Sequence, residues 1–122
     1  MDLYDAYLAA TKKDTYTFGS LISYTDQILA VYQEELSTLK RFREAHINTA
    51  ENSQMLKKEG YQIKQHAVNA AIITIPLVSG HPLGRVQMLA QKLHEREALI
   101  NTNIREVTAI LKRFQQLKER NP

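Results

Sequence analysis

Between residues 86 and 114 the chain steps by four and three residues without an error, through Val86, Ala90, Leu93, Glu97, Ile100, Ile104, Val107, Leu111 and Phe114. Only Glu97 breaks the series chemically. Such spacing is one face of a helix, and Leu89, Ile110 and Leu117 widen it. The pattern predicts a helix over about 83–119, roughly 55 Å long at 1.5 Å per residue. That is far beyond the average of about 11–12 residues. A rod of that length must bury its seam against other rods, so this single feature sets the class: an all-α, elongated antiparallel helical bundle.

Two more rods are expected. Ile22, Leu29, Tyr32, Leu36 and Leu39 keep the same alternating steps, with Thr25 filling the one gap, and the series runs on to Arg43 and His46. It predicts a helix over about 20–46, with Ser20 as its N-cap after Gly19. "HINTAENSQ" then reads as a break, Asn48 and Glu51 having capping-box spacing. A stripe of mostly small residues follows: Leu56, Gly60, Ile63, Ala67, Ala70 and Thr74. Small residues let helices approach closely, so about 49–75 is expected as the central helix, with a kink or break allowed at Gly60. Leu3, Tyr4, Tyr7 and Leu8 suggest a short N-terminal helix. Six of the nine aromatic residues precede residue 33, so that segment is expected to dock on the bundle.

"NAAIITIPLVSGHPLGR", residues 69–85, departs from the rest: charge vanishes and β-branched residues crowd together. Pro76 lacks an N–H and disfavours helical geometry at Ile75, so a helix ends near Thr74. Pro82 suits the first turn of the next one. A strand over 71–78 is the competing reading, but no second strand offers itself as a partner, and the stretch is read as a connection between helices. Ile73, Ile75, Leu77 and Val78 make an apolar tip. Either it is a sticky surface, or the N-terminal aromatic segment folds over it.

The 122 residues are expected to form one domain, 1–122, with a core of useful size. No cysteine occurs, so neither disulfides nor thiol chemistry are available. "MDLYDAYLAATKKD" begins acidic, without the basic-then-apolar pattern of a secretory leader. The charge-free stretch from Gln65 to Leu83 is too short, too polar and too broken by prolines to span a bilayer. A cytoplasmic location is the corresponding expectation. The net charge of +3 is uneven: residues 83–122 carry eight Lys/Arg against four Glu. Lys112, Arg113, Lys118 and Arg120 near a helix C-terminus are favoured by its dipole.

Chemistry has little to build on. The histidines are His46, His66, His81 and His94, and none has a Glu three residues before it, as a di-metal bundle requires. No metal and no cofactor is expected. There is no Gly-x-Ser-x-Gly, and "SGHPLG" lacks the Lys-Ser/Thr ending of a phosphate loop, although backbone donors at that helix start would suit an anion. "KRFRE", "LKKEG" and "LKRFQQLKER" mix their cations with acids or spread them along rods, which reads as solvated helix surface. Nucleic-acid binding is therefore the less favoured partner class.

One pattern carries an enzyme reading. In "RFREAH", Arg41 stands five residues before His46, which resembles the Arg-x4–6-His signature of HEPN-type helical bundles, a group that includes metal-independent ribonucleases. The resemblance implies Arg41 and His46 as ribonuclease residues. On a helix this spacing turns the two side chains about 140° apart. His46 is expected on the buried stripe and Arg41 outside, so a site would have to be composite across a dimer.

Without a catalytic constellation, the expected function is a non-enzymatic protein–protein interaction module: an adaptor, a chaperone or an inhibitor of the immunity type. Its partner is expected to be another protein, and a second copy is expected to pair through the seam of the last helix. Ile75, Leu77, Val78, Leu111 and Phe114 are the candidate contact residues, with weak membrane-surface contact open at the tip.

Overall fold

The computed structural model describes Leu3 and residues 17–120. Its helices are α1 (Phe18–His46), α2 (Ala50–Lys58), a one-turn 3-10 helix (Gln65–Ala67), α3 (Val68–Ile72) and α4 (Gly84–Arg120). Among the described residues there is no strand. The protein is all-α, with two long helices, α1 and α4, packed against each other. The short N-terminal helix expected from Tyr4, Tyr7 and Leu8 falls outside the described residues.

The first and last rods match their apolar stripes to within a few residues at each end. The start of α1 is capped by Thr17 rather than Ser20. Thr17 Oγ1 accepts from the Ser20 N–H at 3.1 Å, and Ser20 Oγ accepts from the Thr17 N–H at 3.2 Å. This reciprocal pair satisfies two donors that a helix start leaves open. Thr25, fully buried in the apolar stripe, donates its hydroxyl to the Leu21 carbonyl at 2.7 Å. Its polar group is therefore not stranded by burial.

The central helix expected over 49–75 is not one helix. Ala50–Lys58 ends in a helix stop built on Gly60, whose φ of +94° is left-handed. The Gly60 N–H donates to the Lys57 carbonyl and the Tyr61 N–H to the Leu56 carbonyl, while Tyr61 packs against the cluster that buries Leu56. This double closure with its apolar clasp is the Schellman arrangement. The chain then runs without helix to Lys64, forms the 3-10 turn and makes only five more helical residues, Val68–Ile72. The stripe of small residues had the right period, but a glycine at a left-handed position ended the helix that was to carry it. At the start of α2 the cap is Thr49, which accepts from the Asn52 N–H at 3.1 Å, and not Asn48.

Contacts divide the chain into two compact units, one of Met1–Glu34 with Ile100–Pro122 and one of Glu35–Leu99. In the first, Leu21 from the start of α1 and Phe114 from the late turns of α4 bury each other, flanked by Phe18, Ile22 and Ile110. In the second, Ile47, Leu56, Val68, Ile72, Ile75, Leu83, Ala90 and Leu93 form the core. Apart from Ala90, each such side chain contributes about 1.5–3 kcal/mol by leaving water.

Broken backbone in that second unit needs substitute hydrogen-bond partners, and side chains supply several of them. Asn52 Nδ2 donates to the Ile47 and His46 carbonyls at 2.9 and 3.2 Å, closing the end of α1. Asn48 Oδ1 accepts from the Asn69 N–H at 2.6 Å. Ser53 Oγ donates to the Ile63 carbonyl at 3.2 Å. Gln87 Nε2, from α4, donates to the Ile72 and Ile75 carbonyls at 2.9 and 2.6 Å. Two ion pairs join α1 to α4 there, Arg96 with Glu35 and Arg43 with Glu97. The last pair explains two irregularities of sequence together: the charged residue in each apolar stripe is the other's partner.

Candidate interaction surface

Exposed apolar residues that lie together, rather than singly, mark where a partner could sit. Among the described residues the large exposed apolar side chains are Tyr24, Val31, Phe42, Val78, Met88 and Leu99. Most are isolated, which is ordinary for a protein surface. Tyr24 and Val31 are not: they lie seven residues apart on α1, 44% and 66% exposed, with half-buried Ile28 between them.

Helical geometry shows why these two escape burial. At about 100° per residue, the inward residues Leu21, Thr25, Leu29 and Ile22 cover one side of α1. Ile28, Tyr24 and Val31 extend the apolar arc to about 180° in all. An apolar stripe of about 100° is enough to seat a helix on its neighbours. The first unit covers the centre of this arc and leaves its Tyr24–Val31 edge open. Between Phe18 and Glu34 the helix carries Asp26 and Glu34 and no lysine or arginine.

The five candidate contact residues read from the sequence separate. Ile75 is 8% exposed and belongs to the core of the second unit, its carbonyl held by Gln87. Leu77 is half-buried against that core. Val78 stands out at 77% exposure, just before the turn in which Gly80 takes a φ of +84°. Phe114 is buried against Leu21, and Leu111 is half-buried. The α4 seam is thus occupied within the chain: Ile100 and Phe114 are almost fully buried and Val107 nearly so. The aromatic segment expected over the tip lies outside the described residues.

The histidines are spread apart. His46 is exposed rather than buried, its ring 4.5 Å from that of Phe42. The stripe shifts before it reaches His46, because the last turn of α1 gives its inward place to Ile47, which is fully buried. Arg41 is also exposed and donates to Thr38 Oγ1 at 3.2 Å. His66 and His94 are exposed. His81 pairs through Nε2 with Glu59, while its Nδ1 accepts from the Leu83 N–H at 3.0 Å. With the Gly84 N–H taken by the His81 carbonyl, two donors that might have held an anion at the start of α4 are already engaged. Among the described residues, no group of three or more metal-ligating side chains comes together. No described helix is long and apolar enough to cross a membrane.

Comparison with protein-family models, with curated proteins and with solved structures gives no match.

The sequence pattern contained the Tyr24–Ile28–Val31 edge, since all three residues follow helical steps, but their exposure depended on how much of α1 the rest of the unit covers. That is a tertiary quantity. The polar set Asn48, Asn52, Ser53 and Gln87 was equally invisible, because each side chain serves a carbonyl or N–H several residues to tens of residues away.

Proposed function

We propose that this chain is a non-enzymatic protein-interaction module whose partner docks on the outer edge of α1. The observation that carries the reading is the open apolar edge of Tyr24, Ile28 and Val31 beside a buried stripe. An amphipathic partner helix would extend the same packing by laying its own apolar face along that edge. Because this part of α1 bears only acidic charge, a partner with Lys or Arg flanking its apolar face is favoured over one with acids, and charge of that kind chiefly sets specificity and on-rate.

Pairing with a second copy through the α4 seam would compete with contacts already made by Phe114, Val107 and Ile100, so the reading assigns the partner to α1. Antiparallel self-pairing of α1 would bring acidic residues towards one another, which favours a different protein.

The test is a double substitution, Tyr24→Ser with Val31→Ser. Val31→Ser, at a residue 66% exposed, should change unfolding free energy by no more than about 0.5 kcal/mol. Tyr24→Ser, at a residue 44% exposed, should cost about 1–2 kcal/mol, so folding of the variant is checked by circular dichroism. A partner that co-purifies with the native chain from its host should be lost from the variant. Retention of that partner by a folded double variant would refute the assignment. Light scattering at two protein concentrations reports independently whether the partner is a second copy.

A further inference from the structure

The cations near the C-terminus look scattered when read along the sequence, but α4 collects them. At about 100° per residue, Arg105, Ala109, Lys112, Arg113, Gln116 and Arg120 share an arc of about 100°. The buried residues Val107 and Phe114 lie on the opposite side. Arg105, Lys112, Arg113 and Arg120 are all exposed. Among the described residues, no carboxylate pairs with any of the four. Glu106 and Glu119 fall at the margins of the arc rather than inside it. Lys118 lies on the other side, close to Gly19 of α1. The result is a band of four cations, none paired with a described carboxylate, about 22 Å long at 1.5 Å per residue.

We infer that this outward face of α4 binds the phosphate backbone of double-stranded nucleic acid. The site is separate from the α1 edge and does not depend on it. Three features select this partner among anionic ones. No large apolar residue between Ile100 and Arg120 is exposed, so the face has no wedge to sink into a lipid surface and no anchor of the kind that dominates protein interfaces. Phe114, the one aromatic residue between Ile100 and Arg120, is buried on the opposite side, so among the described residues the face has no platform on which single-stranded bases could stack. Three of the four cations are arginines, whose planar donors match phosphate oxygens two at a time. What remains is sequence-independent attraction to a regular line of phosphates, which neutralises charge and releases counterions.

The experiment is a fluorescence-anisotropy titration of a labelled duplex with the full chain at low and higher salt. Four phosphate contacts give a slope of log affinity against log salt of about −3.6, so affinity should fall about 150-fold between 50 and 200 mM. Replacing Lys112, Arg113 and Arg120 together by Gln should reduce that fall to about 3- to 4-fold. A control triple, Lys57→Gln, Lys58→Gln and Lys64→Gln, removes the same charge from the second unit and should leave the slope unchanged. The inference is overturned by absence of binding at 50 mM, by an unchanged slope in the α4 variant, or by an equal loss in the control. Retention on phosphatidylserine vesicles without duplex binding would overturn it too, by assigning the face to a membrane.

Discussion

Serine substitutions at Ile75 and Val78, three residues apart in the charge-free stretch, should have opposite consequences. Ile75 is 8% exposed and sits in a core with Ile72, Leu83 and Ala90, whereas Val78 is 77% exposed. Truncating a buried isoleucine costs about 2–5 kcal/mol through lost transfer energy and the cavity left behind. A serine hydroxyl in that cavity adds about 1–3 kcal/mol if it finds no partner. The neighbouring carbonyls Ile72 and Ile75 are already served by Gln87, which leaves the hydroxyl little to bond with. Ile75→Ser should therefore lower the unfolding free energy by at least about 3 kcal/mol, and by about 8 kcal/mol at most, near the low end if water enters. Val78→Ser should change it by less than about 0.5 kcal/mol. Urea denaturation followed by circular dichroism at 222 nm measures both. A loss under about 1 kcal/mol for Ile75→Ser would place that residue on the surface and return the whole stretch to the status of an exposed apolar tip.

Three further outcomes follow from the geometry. Asn52→Ala removes the donor that closes the end of α1 and leaves two carbonyls short of a partner; it should cost about 2–3 kcal/mol, with amide exchange quickening around Ile47 and Asn48. Gly60→Ala has open space for its methyl group but must hold a left-handed φ, so it should cost about 1–2 kcal/mol by thermal melting, where a mid-helix glycine would instead be stabilised by alanine. Purified protein, freed of contaminating nuclease, should leave structured and unstructured RNA intact; cleavage that disappears in both Arg41→Ala and His46→Ala would restore the ribonuclease reading.

The long helices were legible because their information is periodic: nearly every turn of α1 and α4 repeats the same instruction, and isolated errors such as Thr25 or Glu97 do not erase it. The middle of the chain was legible only in part. Pro76 and Pro82 mark the connection, and Gly60 allows a kink or break, but that it is a full stop depends on Leu56 and Tyr61 closing around it. The pattern Leu56, Gly60, Ile63, Ala67 satisfies helical spacing while the residues reach the core along a bent path. Long-range polar contacts explain the rest. Asn48 read as a cap by proximity to Glu51, yet it bonds to the backbone of Asn69, and no local rule contains that distance. The charged residues Arg43 and Glu97 were each visible as an interruption; their pairing appeared only when α1 and α4 were laid together. Candidate contacts chosen for apolarity alone, such as Ile75 and Phe114, became core residues because apolarity does not distinguish a seam from a surface.

Site-directed photo-crosslinking in the native host tests the central claim about α1 most directly. A photoreactive phenylalanine analogue at Val31 or Tyr24 should trap one discrete protein adduct, and the same analogue at Met88, which is 62% exposed in the second unit, should not trap it. The adduct formed from Val31 should vanish when Tyr24 is also changed to Ser. Equal yields of that adduct at every position, or none from either α1 site, would contradict an interaction surface on the outer edge of this helix.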